Sequence, residues 1–344
     1  MQLLRQLCEM HGIPGREEDV RDFILEQVKE HVDDYQIDAM GNLICRQTSE
    51  DSSEWMMVAC HMDEIGFYVR YIDPKGFLWL QPVGGFDPRN LFSRRVVVKT
   101  KTGQRIGTMN PCTPPIHVAK PEDRKKVPEV KQFYIDLGLP AEQVHKEVRI
   151  GDPVSLWQQF EDIGNYVSCK AMDNRIACWV GINLLKAKKK LAKNLAVVFT
   201  VQEEVGVRGA MTSAFTVNPD ISVAIDVTLA CDTPHTDAED HISVLGGGAC
   251  IKVMDSLSIS CYKLVDRFVE LAQENEIKYQ MEVLPRGGTD AAGLQKAGTG
   301  SRAITLSVPT RYIHTITETI DPNDLRATLA LLTKFCENPT NSTK

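Results

Sequence analysis

The run 56-MMVAC-60 is apolar at every position and leads straight into 61-HMDE-64. A strand with one face in water alternates apolar and polar residues; one covered on both faces does not. The run therefore predicts a strand sandwiched between layers of helices. The same rhythm returns after Val167: helix 173–193, strand 195–202, helix 208–216, strand 221–227, a long helix near 258–276, strand 278–284, a helix from about 290, strand 302–308 and a final helix 322–337. Strands alternating with helices predict a mostly parallel sheet. The chain opens with two helical patterns, 2–12 and 16–32, parted by the breakers of 12-GIPG-15, and then shows two strand patterns, 35–47 and 55–72.

That rhythm is interrupted. From Gly66 to about Val167 the strands are short (77-FLWLQPV-83, 95-RVVVKT-100, 104-QRIGTM-109) and separated by turn-forming clusters such as 73-DPKG-76 and 84-GGFDPRN-90. Closely spaced strands with turn chemistry predict a small β-barrel-like unit. The fold class expected is α/β, a mostly parallel central sheet flanked by helices, with this unit inserted. Residues 1–65 and 167–344 would form the α/β domain and residues 66–166 the β-rich one. Within the insertion, 110-NPCTPPIHVAKPEDRKKVPEV-130 is Pro-rich and charged, and predicts a long exposed loop.

Composition narrows the class. The chain has 344 residues, 43% hydrophobic and 25% charged, which suits a soluble globular protein of about two domains. A formal net charge of -7 and the lack of a basic stripe argue against nucleic acid as a partner. The cationic run 186-KAKKKLAK-193 is expected as a solvated face that complements the end of its helix. No run reaches the ~20 apolar residues of a membrane span, and the first twelve residues are too short and charged for a signal peptide. The ten cysteines include no CxxC pair and read as reduced core residues of a cytoplasmic protein.

Five places put a metal-capable side chain at a predicted strand end or in the loop after it: 61-HMDE-64, 172-MDNR-175, 202-QEEVG-206, 225-IDVT-228 and 311-RYIHT-315. Each has a bland reading. A lone histidine is more often structural, Asp173 could cap a helix, Asp226 could make a turn, and Glu203 and Glu204 could be a solvated strand end. Open α/β sheets, however, form their sites at the carboxyl ends of strands, so the five could share one cleft. His, Asp and Glu without Cys make a nitrogen and oxygen set suited to Zn²⁺, Mn²⁺ or Co²⁺. On a strand, Glu203 and Glu204 would point to opposite faces and hold different things.

The strings HMDEIGF, MDNR, TVQEEVGVRGA, AIDVT, GGTDA and RYIHT, with Gly151–Asp152, resemble the motifs of metallopeptidase family 42, the dinuclear metal aminopeptidases. The match runs from the first helix to the last, and the insertion falls between His61 and Asp173, as in that family. The resemblance implies two divalent metal ions, zinc or cobalt with manganese a further option. His61 and Asp226 would hold one, Glu204 and His314 the other, and Asp173 would bridge both. Asp63 would sit behind the ligands, orienting the His61 ring, and Glu203 would be the general base for a water acidified by the two cations. In 286-RGGTDAAG-293, Thr289 and Asp290 would lie near the substrate, although the glycines could simply serve a tight turn. The substrates implied are short peptides that lose their N-terminal residue. A homo-oligomer is implied as well, with His117 and its loop reaching toward assembly contacts or a substrate channel.

Departures from the family pattern are local. The chain reads 229-LACDTPHTDAED-240 after IDVT, so Cys231 and the acids at 237–240 are expected to alter the substrate pocket wall; Asn174 stands where many relatives carry Asp. The alternatives are a same-fold amidohydrolase acting on N-acyl amino acids, a glycosidase built on the paired acids, or a binding protein without activity. A glycosidase needs carboxyls flanking a scissile bond and has no use for His61 and His314. A non-catalytic protein would be expected to have lost one of these side chains.

Overall fold

In a computed structural model that describes residues 1–187, 189–234 and 236–339, the N-terminal helices α1 (Gln2–Glu9) and α2 (Glu18–Val28) precede β1 (Asp34–Ile37), β2 (Leu43–Gln47) and β3 (Trp55–His61). Six strands then close a barrel: β4 (Gly66–Ile72), β5 (Leu78–Val83), β6 (Arg94–Thr100), β7 (Gly103–Pro111), β8 (Phe133–Asp136) and, after helix α3 (Ala141–Glu147), β9 (Pro153–Leu156). The hairpin β10 (Glu161–Ile163) and β11 (Tyr166–Cys169) leads into α4 (Met172–Lys186). There follow β12 (Asn194–Thr200), α5 (Arg208–Val217), β13 (Ile221–Leu229), β14 (Ala249–Met254), α6 (Tyr262–Glu274), β15 (Tyr279–Val283), α7 (Ala291–Lys296), β16 (Arg302–Thr310), β17 (Glu318–Ile320) and α8 (Pro322–Glu337).

Eight strands make the central sheet in the order β1-β2-β12-β3-β13-β16-β14-β15. The middle run β12, β3, β13 and β16 is parallel throughout, so its carboxyl ends share one edge. Both faces are covered, as the apolar runs require. Met56, Val58 and Cys60 of β3 join the large core under α1, α2, α4, α6 and α8, while Met57 and Ala59 join the smaller one with α5 and α7. β12 divides in the same way, Leu195, Val197 and Phe199 to one side and Ala196 and Val198 to the other. The barrel has its own core, centred on Phe67, Val96, Phe133 and Val154.

Three expectations change in detail. The 35–47 pattern is a hairpin, β1 and β2, because the Asp38 carboxylate accepts the amides of Met40, Gly41 and Asn42 and so turns the chain, with Gly41 at φ +100°. The 55–72 pattern is split between sheet and barrel. Helix α4 stops at Lys186 rather than 193, where Lys189 donates to the Leu184 carbonyl at 2.5 Å and the chain turns so that Lys190 and Lys193 reach Asp51 and Glu54. Lys188 of that cationic run lies outside the described residues.

The alanine-rich second core allows α5 to approach the sheet closely. A Cβ at Gly209 would collide with the Val201 carbonyl oxygen and with Asn42 Oδ1. Asn42 is itself fully buried, accepting the Val201 amide at 3.0 Å and donating to the Gly209 carbonyl at 3.2 Å. The 201–209 turn is thereby sewn to the β1–β2 hairpin. Gly209→Ala is expected to lower stability by about 1–3 kcal/mol, as overpacking does. The denaturation midpoint measures this, and an unchanged midpoint would show that α5 can shift freely.

Candidate active site

The carboxyl ends of β3, β12, β13 and β16 deliver His61, the pair Glu203 and Glu204, Asp226 and His314; Asp173 comes from the start of α4. All six line one cleft of about 460 Å³, with Thr289 on its wall. His61 Nε2 lies 3.2 Å from Asp173 Oδ1 and 3.8 Å from Asp226 Oδ1. His314 Nε2 lies 3.5 Å from Asp173 Oδ2 and 3.4 Å from Glu204 Oε2. Two triads result, His61–Asp173–Asp226 and Asp173–Glu204–His314, with ligand atoms in each within 4.8 Å of one another and Asp173 shared. Glu203 belongs to neither, its Oε2 standing 4.0 Å from His61 Nε2.

The electrostatics follow from crowding buried acids. Burial pushes the Glu203 carboxyl well above the usual carboxylate range, and the nearby Asp226, Asp290 and Glu204 add to this while His61 opposes it. Burial and then Asp173 raise Glu204 to about 7. Burial opposes the charge on Asp173 too, yet hydrogen bonds from His314 and His61 hold it below its ordinary value. Burial resists protonation of His314, but hydrogen bonds to Asp173 and Glu204 carry it up to about 12. Four acids facing two imidazoles call for added positive charge. Glu204 Oε1 is buried without a hydrogen-bond partner among the described residues, and the donors are nitrogen and oxygen only. The residues therefore fit divalent cations.

Glu203 and Glu204 do not sit on a strand. β12 ends at Thr200, and Gln202 takes a left-handed conformation at φ +56°. The acids stand in a turn closed by the Gly206 and Val207 amides on the Glu203 carbonyl, both at 2.9 Å. Asp63, fully buried, sets their placement: Oδ1 accepts the Glu203 amide at 3.0 Å and Oδ2 the Glu204 amide at 3.1 Å. Its carboxylate is 3.5 Å from His61 Nδ1, whereas its backbone carbonyl is nearer, at 3.2 Å.

Other residues of the motifs build the support. Glu64 receives Lys170 Nζ on both oxygens at 2.8 and 2.7 Å, the Gly12 amide at 3.1 Å and Arg175 at 3.5 Å. Arg175 and Lys170 also donate to carbonyls of Leu7, Met10 and Met62, and Arg175 to that of Gly12 at 3.4 Å, which ties the end of α1 and Gly12 to the 61-HMDE-64 segment. Asn174 donates to the Ile225 carbonyl at 2.9 Å, a bond an ionised aspartate there could not make. Asp290 lies beneath the cleft wall and accepts the Thr200 hydroxyl at 2.5 Å, and Thr289 shares its hydroxyl with Thr305 at 2.8 Å. Arg311 grips Asp232 at 2.6 and 2.7 Å. Of the departing segment 229–240, Leu229 lines the cleft among the described residues; Cys231 does not, and His235 lies outside the described residues.

Four further residues carry no obvious sequence signal. Gly85, from the barrel loop after β5, reaches the cleft so closely that a Cβ would stand 3.4 Å from His314 Nδ1. Lys252, which lines the cleft, and Glu282, its neighbour across β14 and β15, form a buried ion pair at 2.7 Å, joined by the Thr228 hydroxyl. Glu318 accepts backbone amides of two site residues.

The profile of the family described as M42 glutamyl aminopeptidase matches residues 41–331. This chain belongs to that family. It is 39% identical over 334 residues to a putative aminopeptidase of Acetivibrio thermocellus, covering 96% of each chain. Among solved structures, an aminopeptidase from the archaeon Desulfurococcus kamchatkensis superposes with a TM-score of 0.94 at 36% identity, over 98% of this chain and 94% of that one. The TET1 peptidase of Pyrococcus horikoshii, described as assembling into a tetrahedron or a large octahedral shell, gives 0.88 at 31% identity, over 98% and 99%. The fold is thus that of metallopeptidase family 42, and the protein is a hydrolase of a metal-dependent aminopeptidase family.

Glu64→Ala would leave Lys170 and Arg175 as buried cations without their carboxylate. The expected cost is about 3–5 kcal/mol, as for breaking other buried pairs, read from urea unfolding. A cost below about 1 kcal/mol would mean that the cluster is solvated and does not brace the motif.

Proposed function

We propose that this protein is a two-metal aminopeptidase that removes N-terminal residues from short peptides. The observation that carries this reading is the pair of triads sharing Asp173, with Glu203 beside them and outside both. His61 and Asp226 would hold one cation, Glu204 and His314 the other, and Asp173 both. Zinc or cobalt suits the donor set, with manganese a further option. When bound, two such ions polarise a scissile carbonyl and acidify a water.

The chain's own residues do the rest. Glu203, its carboxyl pushed up by burial, takes the proton from the attacking water and returns it to the leaving amine. Asp63 holds the amides of Glu203 and Glu204, which keeps base and ligand at fixed separation. Thr289, Leu229 and Ile313, which line the cleft wall, would meet the substrate's first side chain. Asp290, beneath that wall, would support the loop that presents Thr289. Residues 66–166 are read as an assembly unit that makes the protein a homo-oligomer, and Ile116, Val118 and Val127 of the loop containing His117 are exposed there. Ten free thiols favour a cytoplasmic setting, and no helix among the described residues is long and apolar enough to cross a membrane.

Glu203→Gln is expected to retain both metals while turnover falls by about 10²–10⁴, and Glu204→Gln to lose one metal. Metal analysis after dialysis, paired with rates on aminoacyl chromogenic substrates in Zn²⁺, Co²⁺ and Mn²⁺, tests the split. Equal depletion of the two variants would show that the roles are not divided this way. Free peptides should be cleaved and N-acetylated ones spared; cleavage of the blocked set alone would make the protein a deacylase instead.

A further inference from the structure

Glu318, at the start of β17, is 2% exposed, and its carboxylate spans two elements of the site. Oε1 accepts the His314 amide at 2.7 Å and Oε2 accepts the Asp173 amide at 3.0 Å. No cationic side chain pairs with it among the described residues, so both oxygens rely on backbone donors. Burying a carboxylate on such terms is unfavourable, which makes its placement between two site residues informative.

Neither of those residues is held by regular structure. His314 follows the end of β16 in a left-handed conformation at φ +63°. Asp173 has non-helical backbone angles inside the first turn of α4. Their amides would lack ladder or helix partners, and Glu318 supplies both. β17 is itself fixed by β11, with Cys169 opposite Glu318, and the chain runs from β11 directly into Asp173. The arrangement parallels Asp63, whose two oxygens hold the amides of Glu203 and Glu204.

We infer that Glu318 is a positioning residue for the Asp173–Glu204–His314 cation subsite: by holding two backbone amides it aims Asp173 Oδ2 and His314 Nε2 at one point. This rests on the two-metal reading. A purely structural Glu318 would stabilise the β11–β17 pairing and leave cation affinity unchanged.

The test is calorimetric titration of chelator-stripped protein with Co²⁺ for wild type, Glu318→Gln, Glu318→Asp and Thr319→Ala, with circular dichroism and melting of each stripped form. Thr319→Ala controls for the strand, since among the described residues its hydroxyl donates to the Thr317 carbonyl and to no site residue. Wild type is expected to bind two cations. Glu318→Gln, which keeps one acceptor oxygen, is expected to stay folded and to bind one of the two cations roughly 10–100-fold less tightly. Its kcat should recover in excess Co²⁺ with KM little changed, and Thr319→Ala should bind as wild type does. Should Glu318→Gln not fold, Glu318→Asp is read in its place, because its shorter side chain cannot span both amides and the same loss is expected. Wild-type affinity in the folded glutamate variants overturns the inference, and so does an equal loss in Thr319→Ala. A wild type that binds fewer than two cations overturns the two-metal reading itself, a result distinct from either.

Discussion

The site is governed by the repulsion among acids crowded at one edge of the sheet. Asp173, Glu204 and Asp226 place oxygens in two triads, the atoms of each within 4.8 Å of one another, with Glu203 alongside. Two like charges about 4 Å apart repel by about 4 kcal/mol at an effective dielectric of 20. Burial adds a desolvation cost for each, which is why Glu203 and Glu204 are displaced upward. Such an arrangement persists only where the backbone cannot relax and where positive charge is supplied. His61 and His314 supply part of it, and the nitrogen and oxygen donors suit cations for the remainder.

The first requirement is met by buried carboxylates that hold backbone amides. Asp63 accepts the amides of the glutamate pair, Glu318 those of Asp173 and His314, and Glu64 the amide of Gly12 together with Lys170 and Arg175. Each joins segments far apart in the chain. The site's precision thus resides in the turns just past the parallel strands, and the strands fix only where those turns begin. The barrel takes part as well, since its Gly84 and Gly85 pass close to Glu204 and His314; a Cβ on Gly84 would stand 3.4 Å from Glu204 Oε2.

What could be read from the chain divides along local and distant causes. The fully apolar 56-MMVAC-60 announced a strand covered on both faces, and its alternate residues do enter two cores. The turn clusters after Gly66 announced short antiparallel strands, which close into a barrel. The metal-capable residues of the cleft, His61, Asp173, Glu204, Asp226 and His314, were legible because they fall at predicted strand ends or in the loops after them. Glu318, Lys252 and Glu282 were not. A carboxylate or lysine inside a short strand has no local mark that distinguishes a solvated side chain from one that meets a backbone amide 145 positions away. Helix length failed for a related reason: the lysines beyond Lys186 are good helix formers, but their partners Asp51 and Glu54 lie in the loop before β3.

The adjacent glutamates have different neighbours for a reason other than strand alternation. Strand alternation would separate Glu203 from Glu204 by sending them to opposite faces. In the structure they lie past the strand, in a turn entered through a left-handed Gln202. They still differ: Glu204 Oε2 meets His314, whereas Glu203 approaches His61 at 4.0 Å and joins no triad. The separation comes from Asp63, which fixes both amides and leaves the side chains to leave the turn in different directions. Removing the strand would have little meaning for this pair, but removing Asp63 would free both at once. The feature that sets the two glutamates apart is therefore a third acid, two residues beyond the histidine of another strand.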